Sequence, residues 1–206
     1  HGNFKIVWGN PELKFYLSML AVGITLATLW LRASFPEYGL GEAVRLASFN
    51  VVSVNTTTGF ATDDFNQWPN HLRLFLLVIM MIGGCAGSTS GSFKAIRFII
   101  LFKVVMREFQ KLIHPRAVIP IKVGGKTLDP DHILNVVALM CLFAGIALFS
   151  AFLLVFLGVD FTTSVSASIA TLFNIGPGLG QVGPVAHYAD IPDTGKWALI
   201  LWMLMG

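Results

Sequence analysis

Two long hydrophobic segments stand out in the pattern of apolar and polar residues along the chain. Residues 14–32 carry charges only at their two ends, and residues 133–157 carry none. A transmembrane helix needs about 20 predominantly apolar residues. Each segment also follows a helix-start signal, Asn10-Pro11-Glu12 or Asp129-Pro130-Asp131, in which a capping residue, a proline and an acidic residue come in order. The pattern therefore predicts two membrane-spanning helices.

Shorter segments and glycine-containing loops follow both predicted spanning helices. Residues 41–54 and 161–173 are too polar or too short to span, and apolar segments of roughly 10–14 residues are candidates for re-entrant elements. Residues 71–82 are again apolar, but they run into ten small residues, 83–92, before a helical pattern resumes over 93–113. We therefore predict an all-α membrane protein whose short helices and loops re-enter the membrane.

The order of spanning helix, short helix, loop and second helix occurs twice. This predicts two parallel repeats of a helix–pore loop–helix unit, residues 1–119 with the start of a cytoplasmic hairpin and residues 120–206. The second copy stops within its last apolar segment, so we expect the chain to be a piece of a longer polypeptide. At an offset of 119 the repeat pairs Pro11 with Pro130, Glu12 with Asp131, Asn55 with Asn174 and Gly59 with Gly178.

Composition and charge narrow the class of protein further. The chain is 55% hydrophobic and 12% charged, whereas a soluble domain carries about 25% charged residues. A net charge of +3 gives no support to nucleic-acid binding. Lysines and arginines concentrate in residues 103–126, which include a predicted hairpin with strands at 118–122 and 126–128, and this basic segment is expected to be cytoplasmic. The loops after the short segments should then open outward.

Neither the cysteines nor the polar residues indicate catalysis. Cys85 and Cys141 lie in apolar surroundings without a neighbouring Cys or His at metal spacing, which predicts free, buried thiols. No Ser-His-Asp set and no paired carboxylates can be recognised, so an enzyme is not expected.

The loops after the two short segments carry the candidate chemistry. The first loop reads Asn55-Thr56-Thr57-Thr58-Gly59-Phe60, and the second reads Asn174-Ile175-Gly176-Pro177-Gly178-Leu179-Gly180. Carbonyl groups in such loops can replace the hydration shell of a cation, and glycine permits the backbone angles that aim them at one axis. The negative C-terminal end of the preceding helix adds to the attraction. These features predict a site for a monovalent cation, K⁺ first of all. The alternative is that both loops are ordinary turns outside the membrane.

The ten small residues at 83–92 allow two interpretations. One is a helix broken at the pore, which would make the segment a gate. The other is close helix packing through small residues spaced four apart. Lys94 and Arg97 follow at the cytoplasmic side. The candidate gate residues are Gly83, Gly84, Gly87, Ser88, Thr89, Ser90 and Gly91.

Three motifs in this order, VNTTTGF, GGCAGSTSGSFKAIR and FNIGPGLGQVGP, resemble the potassium-uptake proteins of the Trk/Ktr/HKT superfamily, most closely the TrkH type of bacterial membrane subunit. The resemblance implies four units around one pore, of which this chain would hold the third and fourth. It implies a homodimer in the lipid of the bacterial inner membrane, multi-pass, with a cytosolic nucleotide-binding regulatory subunit of the TrkA type. The protein would take up K⁺ through a symporter or channel mechanism and would need no organic cofactor. A membrane assembly subunit that does not conduct is the alternative.

The resemblance also implies roles for particular residues. Residues 83–92 match the intramembrane gating loop of the superfamily. The K⁺-binding selectivity filter would include Thr56, Thr57, Thr58 and Gly59 from the third unit and Asn174, Ile175, Gly176, Pro177 and Gly178 from the fourth.

Overall fold

Helices make up most of the computed structural model, which describes residues 9–206. The first eight positions of the predicted unit 1–119 lie outside the described residues. The helices within this range are α1 (Pro11–Ser34), α2 (Leu40–Asn55), α3 (Asn70–Met81), α4 (Ala95–Ile113), α5 (Pro130–Phe156), α6 (Phe161–Leu172) and α7 (Asp193–Met205). Single 3₁₀ turns occur at Phe65–Gln67, Gly180–Val182 and Tyr188–Asp190, and β1 (Lys122–Val123) pairs antiparallel with β2 (Lys126–Thr127).

The predicted starts of α1 and α5 are confirmed. The side chain of Asn10 accepts the N–H of Glu12 at 2.9 Å, and that of Asp129 accepts the N–H of Asp131 at 3.1 Å. Among residues 9–206 these two helices are the ones long and apolar enough to cross a membrane, with mean hydropathies of 1.5 and 2.6. At 1.5 Å per residue they are about 36 and 40 Å long, which exceeds the roughly 30 Å hydrocarbon core of a bilayer.

Small and branched side chains pack α1 against α2 and α3. Ala27 and Leu31 of α1, Ala47 and Val51 of α2 and Leu76 of α3 are completely shielded from solvent. The helix pair α5 and α6 packs in a different way, because Ser150 of α5 and Ser168 of α6 share a buried hydrogen bond of 2.9 Å.

The outer face of α5 is apolar and lacks a packing partner among residues 9–206. Leu148, Phe152 and Phe156 are 74, 70 and 79% exposed. Contiguous apolar surface of this kind marks a face for protein or membrane contact, and the α5 face is consistent with lipid as its solvent.

Two predictions are wrong in detail. The hairpin is shorter than expected, because residues 118–121 lie outside β1 and Val118 is 96% exposed. Both cysteines are free, but neither is buried: Cys85 is half-buried and Cys141 is exposed. Cys141 lies on an exposed side of α5. The parallel repeat as a whole stays a prediction.

Candidate functional site

The first loop begins where α2 ends, at Asn55. Thr57 adopts a left-handed backbone with φ 56°, and the N–H of Thr58 reaches back to the carbonyl of Ser53 at 2.9 Å. Gly59 then has φ 77°. A left-handed residue, a return hydrogen bond and a left-handed glycine thus turn the chain away from the helix axis.

The second loop repeats this backbone pattern after α6. Asn174 has φ 54°, the N–H of Ile175 reaches back to the carbonyl of Ala170 at 2.8 Å, and Gly176 has φ 105°. The two loops therefore turn by the same sequence of conformations although their residues differ.

The backbone geometry corrects the register in which the loops were paired. Thr57 corresponds to Asn174, and Gly59 corresponds to Gly176, an offset of 117 rather than 119. The pairings of Asn55 with Asn174 and of Gly59 with Gly178 are wrong, because α6 ends two residues earlier than the offset of 119 requires. Gly178, unlike Gly59, does not have a left-handed backbone. Its requirement is space, since a Cβ there would lie 2.8 Å from Val182 Cγ2.

The structure brings the two loops into contact. A Cβ on Gly59 would lie 2.3 Å from the carbonyl oxygen of Ile175 and 3.2 Å from Cδ of Pro177. Only glycine allows the first loop to approach the backbone of the second so closely. The hydroxyls of Thr56 and Thr58 lie 2.8 Å apart on the same turn.

Most carbonyls of these loops are left without a hydrogen-bond donor. Gly176 differs, because its carbonyl accepts the hydroxyl of Tyr188 at 2.6 Å. Burial raises the pKa of the Tyr188 phenol, which keeps the hydroxyl protonated as a donor. Among residues 56–59 and 174–178, the carbonyls that accept no hydrogen bond from residues 9–206 belong to Thr56, Thr57, Thr58, Gly59, Asn174, Ile175, Pro177 and Gly178.

Hydroxyl groups of α6 hold the segment that returns from the second loop. Ser166 Oγ donates to the carbonyl of Leu179 at 2.9 Å and accepts its N–H at 2.8 Å. Thr163 Oγ1 accepts the N–H of Gln181 at 3.0 Å. In the first loop, Ser53 Oγ donates to the carbonyl of Phe60 at 2.5 Å. Sequence reasoning did not identify these hydroxyls.

Asn66 joins the two halves of the chain beside the second loop. Its Oδ1 accepts the N–H of Gly180 at 2.8 Å, and its Nδ2 donates to the carbonyl of Gly180 at 3.2 Å. Arg73 donates to Asn66 Oδ1 at 3.3 Å. The partners are 114 residues apart, so no local sequence signal could have identified Asn66.

The segment 83–92 interrupts the helix, as one interpretation predicted. α3 ends at Met81 and α4 begins at Ala95. The other interpretation, close helix packing through small residues, is wrong for this segment, because the chain is not helical there and Gly87 has φ 86°. Gly83, Gly84 and Ser90 are buried, Gly91 is half-buried, and Gly87, Ser88 and Thr89 are exposed.

Short-range hydrogen bonds close the base of this segment. The N–H of Gly83 donates to the carbonyl of Phe93 at 2.7 Å, and the N–H of Gly84 donates to Ser90 Oγ at 3.0 Å. Lys94 Nζ donates to the carbonyls of Ser88 at 2.7 Å and Ser90 at 2.5 Å. The lysine therefore belongs to the segment itself.

The same segment contacts both loops. The N–H of Gly91 donates to Thr57 Oγ1 at 3.2 Å, and a Cβ on Gly91 would lie 2.6 Å from the carbonyl oxygen of Phe173. A cavity of about 690 Å³ opens beside this junction, lined by Thr57, Asn174, residues 88–94, Arg97 and others. Thr57 and Asn174 of the predicted loop residues and residues 88–91 of the predicted gate thus line one cavity, and the other predicted residues lie outside its lining.

Known proteins resemble the chain over almost its whole length. Residues 8–206 match the TrkH family, described as "Cation transport protein". The Trk system potassium uptake protein TrkH of Halomonas elongata is 41% identical and that of Escherichia coli K12 is 37% identical, covering 96 and 99% of this chain. The crystal structure of the potassium transporter TrkH from Vibrio parahaemolyticus superposes with a TM-score of 0.89 at 38% identity, over 97% of this chain and 42% of that one. The chain spans about 40% of the length of the curated relatives it matches.

Proposed function

We propose that this chain, which belongs to the TrkH family of cation transport proteins, forms part of a K⁺ uptake pathway in a bacterial inner membrane. The first and second loops contribute two sides of its selective constriction. The names of the relatives, Trk system potassium uptake proteins, support K⁺ as the transported ion. The two long apolar helices support a multi-pass membrane location.

One observation carries the proposal: two loops with the same turn meet while most of their carbonyls accept no hydrogen bond from residues 9–206. Carbonyls that accept no hydrogen bond from the described residues, those of Thr57 and Ile175 among them, have lone pairs available for a cation. A dehydrated cation needs such oxygens in place of its water. Residues 56–59 and 174–178 contain no Asp or Glu, so the ion would be bound weakly enough to leave.

The short helices add a favourable field to this arrangement. The C-terminal ends of α2 and α6 lead directly into the first and second loops, and the C-terminal end of a helix carries a partial negative charge of about half an electron. Both fields favour a cation at the loops and disfavour an anion.

The segment 83–92 would obstruct the path beside this constriction. It contacts Thr57 of the first loop and approaches the backbone of Phe173, which precedes the second loop. Its exposed middle, residues 86–89, offers few apolar contacts that would resist a second arrangement. We therefore assign it the role of a gate.

The remaining parts of the proposal concern the whole protein. In the proposed assembly, four units surround one pore, and these two loops would form part of its filter. The whole protein would be a homodimer regulated by a cytosolic nucleotide-binding subunit. The rival function is a membrane assembly subunit that does not conduct.

Crystals of the full-length protein grown in Rb⁺ test the proposal. Rb⁺ is the probe because it stands in for K⁺ and scatters anomalously. We expect an anomalous peak within coordination distance of the Thr57 and Ile175 carbonyls, and ⁸⁶Rb⁺ uptake by liposomes that contain the protein. No peak at the loops together with no uptake would favour the non-conducting subunit.

A further inference from the structure

A buried carboxylate at the start of α1 contacts the gate segment and the first turn of α4. Glu12 is only 6% exposed. Its Oε1 accepts the N–H of Ala86 at 2.7 Å and the N–H of Ile96 at 3.2 Å. These partners lie 74 and 84 residues further along the chain, and nothing in the proposed ion pathway uses Glu12.

The contact with Ile96 supplies a helix cap from another helix. The first N–H groups of a helix lack partners inside it, and the positive N-terminal end favours an anion. The residue at the cap position of α4 is Lys94, whose side chain makes no capping hydrogen bond. Ile96 is the second residue of α4, so the carboxylate of Glu12 takes the place that a local cap would have had.

The contact with Ala86 ties the exposed part of the gate segment to the same oxygen. Ala86 and Gly87 are exposed and precede the hydroxyl-rich turn at Ser88. Burial of a carboxylate is costly unless the charge is hydrogen-bonded. The two N–H groups thus stabilise the buried carboxylate, and the carboxylate holds the gate segment against the first turn of α4.

We propose that Glu12 is a positioning residue that holds residues 83–92 in the obstructing arrangement. The consequence for ion flow rests on the proposed function of the segment as a gate. The hold on the segment itself does not rest on that function, and the two can be measured separately.

Asp131 provides a matched control within the chain. It occupies the same place after Pro130 that Glu12 occupies after Pro11. Asp131 is exposed, and its carboxylate accepts no hydrogen bond from residues 9–206. The first turn of a long helix therefore does not require this contact, which is a particular feature of Glu12.

The thiol of Cys85, directly before Ala86, reports how firmly the segment is held when each variant's labelling rate is corrected for its own thiolate fraction, because the charge of Glu12 also acts on this thiol. Full-length protein in which Cys85 is the only cysteine is reacted with a water-soluble maleimide. Glu12→Asp keeps an acid at the helix start but shortens its reach, and we expect labelling of Cys85 to accelerate about tenfold as the charge-assisted hydrogen bonds are lost. Glu12→Gln keeps an oxygen in place for both N–H groups and should stay within about threefold of the parent. Asp131→Ala should not change the rate.

Uptake of ⁸⁶Rb⁺ by the same variants in liposomes gives the second readout. We expect Glu12→Asp to raise it and Asp131→Ala to leave it unchanged. Unchanged labelling in Glu12→Asp would overturn the role of Glu12. Faster labelling with unchanged uptake would leave Glu12 as the residue that holds the segment and would contradict the gate. Because Asp131 shows that an aspartate suits this position of a helix, Glu12→Asp is expected to fold.

Discussion

A methyl group on Gly59 should damage selectivity through its effect on one carbonyl. Gly59 has φ 77°, and a Cβ there would lie 2.3 Å from the carbonyl oxygen of Ile175. Real Cβ atoms essentially never approach a neighbour within 3.0 Å, so the two backbones would have to separate by roughly 0.7 Å. The moving oxygen is one of those proposed to replace the water around the ion.

The effect of Gly59→Ala has two parts, one on stability and one on ion selectivity. A left-handed backbone costs a residue with a Cβ about 1–2 kcal/mol, and this part lowers stability without regard to the ion. The displaced carbonyl changes the binding of K⁺ and Na⁺ unequally. Every 1.4 kcal/mol of difference between the two ions in binding free energy changes the ratio of their binding constants about tenfold. We expect Gly59→Ala to lower the K⁺ over Na⁺ preference by about tenfold or more.

Two other glycines separate the cost of a left-handed backbone from the effect of crowding a neighbouring group. Gly176 has φ 105°, but its Cβ would meet nothing within 4 Å, so Gly176→Ala carries the backbone cost alone. Gly178 is not left-handed, but its Cβ would crowd Val182 and Ser166 Oγ at 2.8 and 3.1 Å. Gly178→Ala therefore tests crowding behind the second loop.

The assay is paired uptake of ⁸⁶Rb⁺ and ²²Na⁺ by liposomes with full-length protein, beside thermal unfolding followed by circular dichroism. Gly145→Ala, at an open position in α5, is the neutral control. An unchanged uptake ratio in folded Gly59→Ala protein would contradict this prediction and remove Gly59 from the constriction. An equal change in Gly145→Ala would show that the ratio does not report on the loops.

Three further predictions follow from the fold. Deletion of residues 86–90 should raise ⁸⁶Rb⁺ uptake several-fold, and unchanged uptake by inserted protein would contradict the gate. A cysteine at Lys122 should react with impermeant maleimide only from the cytoplasmic side and one at Asp64 only from outside; the reverse would overturn the orientation. Asn66→Ala removes hydrogen bonds of 2.8 and 3.2 Å, worth about 1–3 kcal/mol, and should shift the uptake ratio, whereas Gln110→Ala, at an exposed position of α4, should not.

The helices could be predicted from the sequence because their signals are local. Asn10 and Asp129 lie beside the N–H groups that they cap, and the apolar character of residues 133–157 needs no partner to be recognised. The break at 83–92 was also predictable, because ten small residues provide little that would favour a helix over the available loop contacts. In each case the decisive interaction lies within a few residues of the position concerned.

The arrangement around the loops could not be predicted, because its interactions cross large sequence separations. The predicted pairing of the two loops was off by two residues. It matched identical residue types, Asn55 with Asn174, whereas the backbone correspondence depends on where α6 ends. Glu12 was read only as a first-turn acid, and its partners Ala86 and Ile96 become neighbours only when α1, α3 and α4 pack. Sequence patterns identify these residues by type, while the fold decides which backbone groups they contact.

Selectivity and gating cannot be independent if the proposed roles hold. Gly91 of the gate segment donates to Thr57 Oγ1, and Thr57 is the left-handed residue on which the first loop turns. Movement of the segment would break the hydrogen bond to that hydroxyl. It would also separate Gly91 from the carbonyl of Phe173. Linkage is reciprocal for binding free energies. An ion that favours one arrangement of the loops must therefore favour one position of the segment to the same extent, and the contacts through Gly91 are where that coupling would reside.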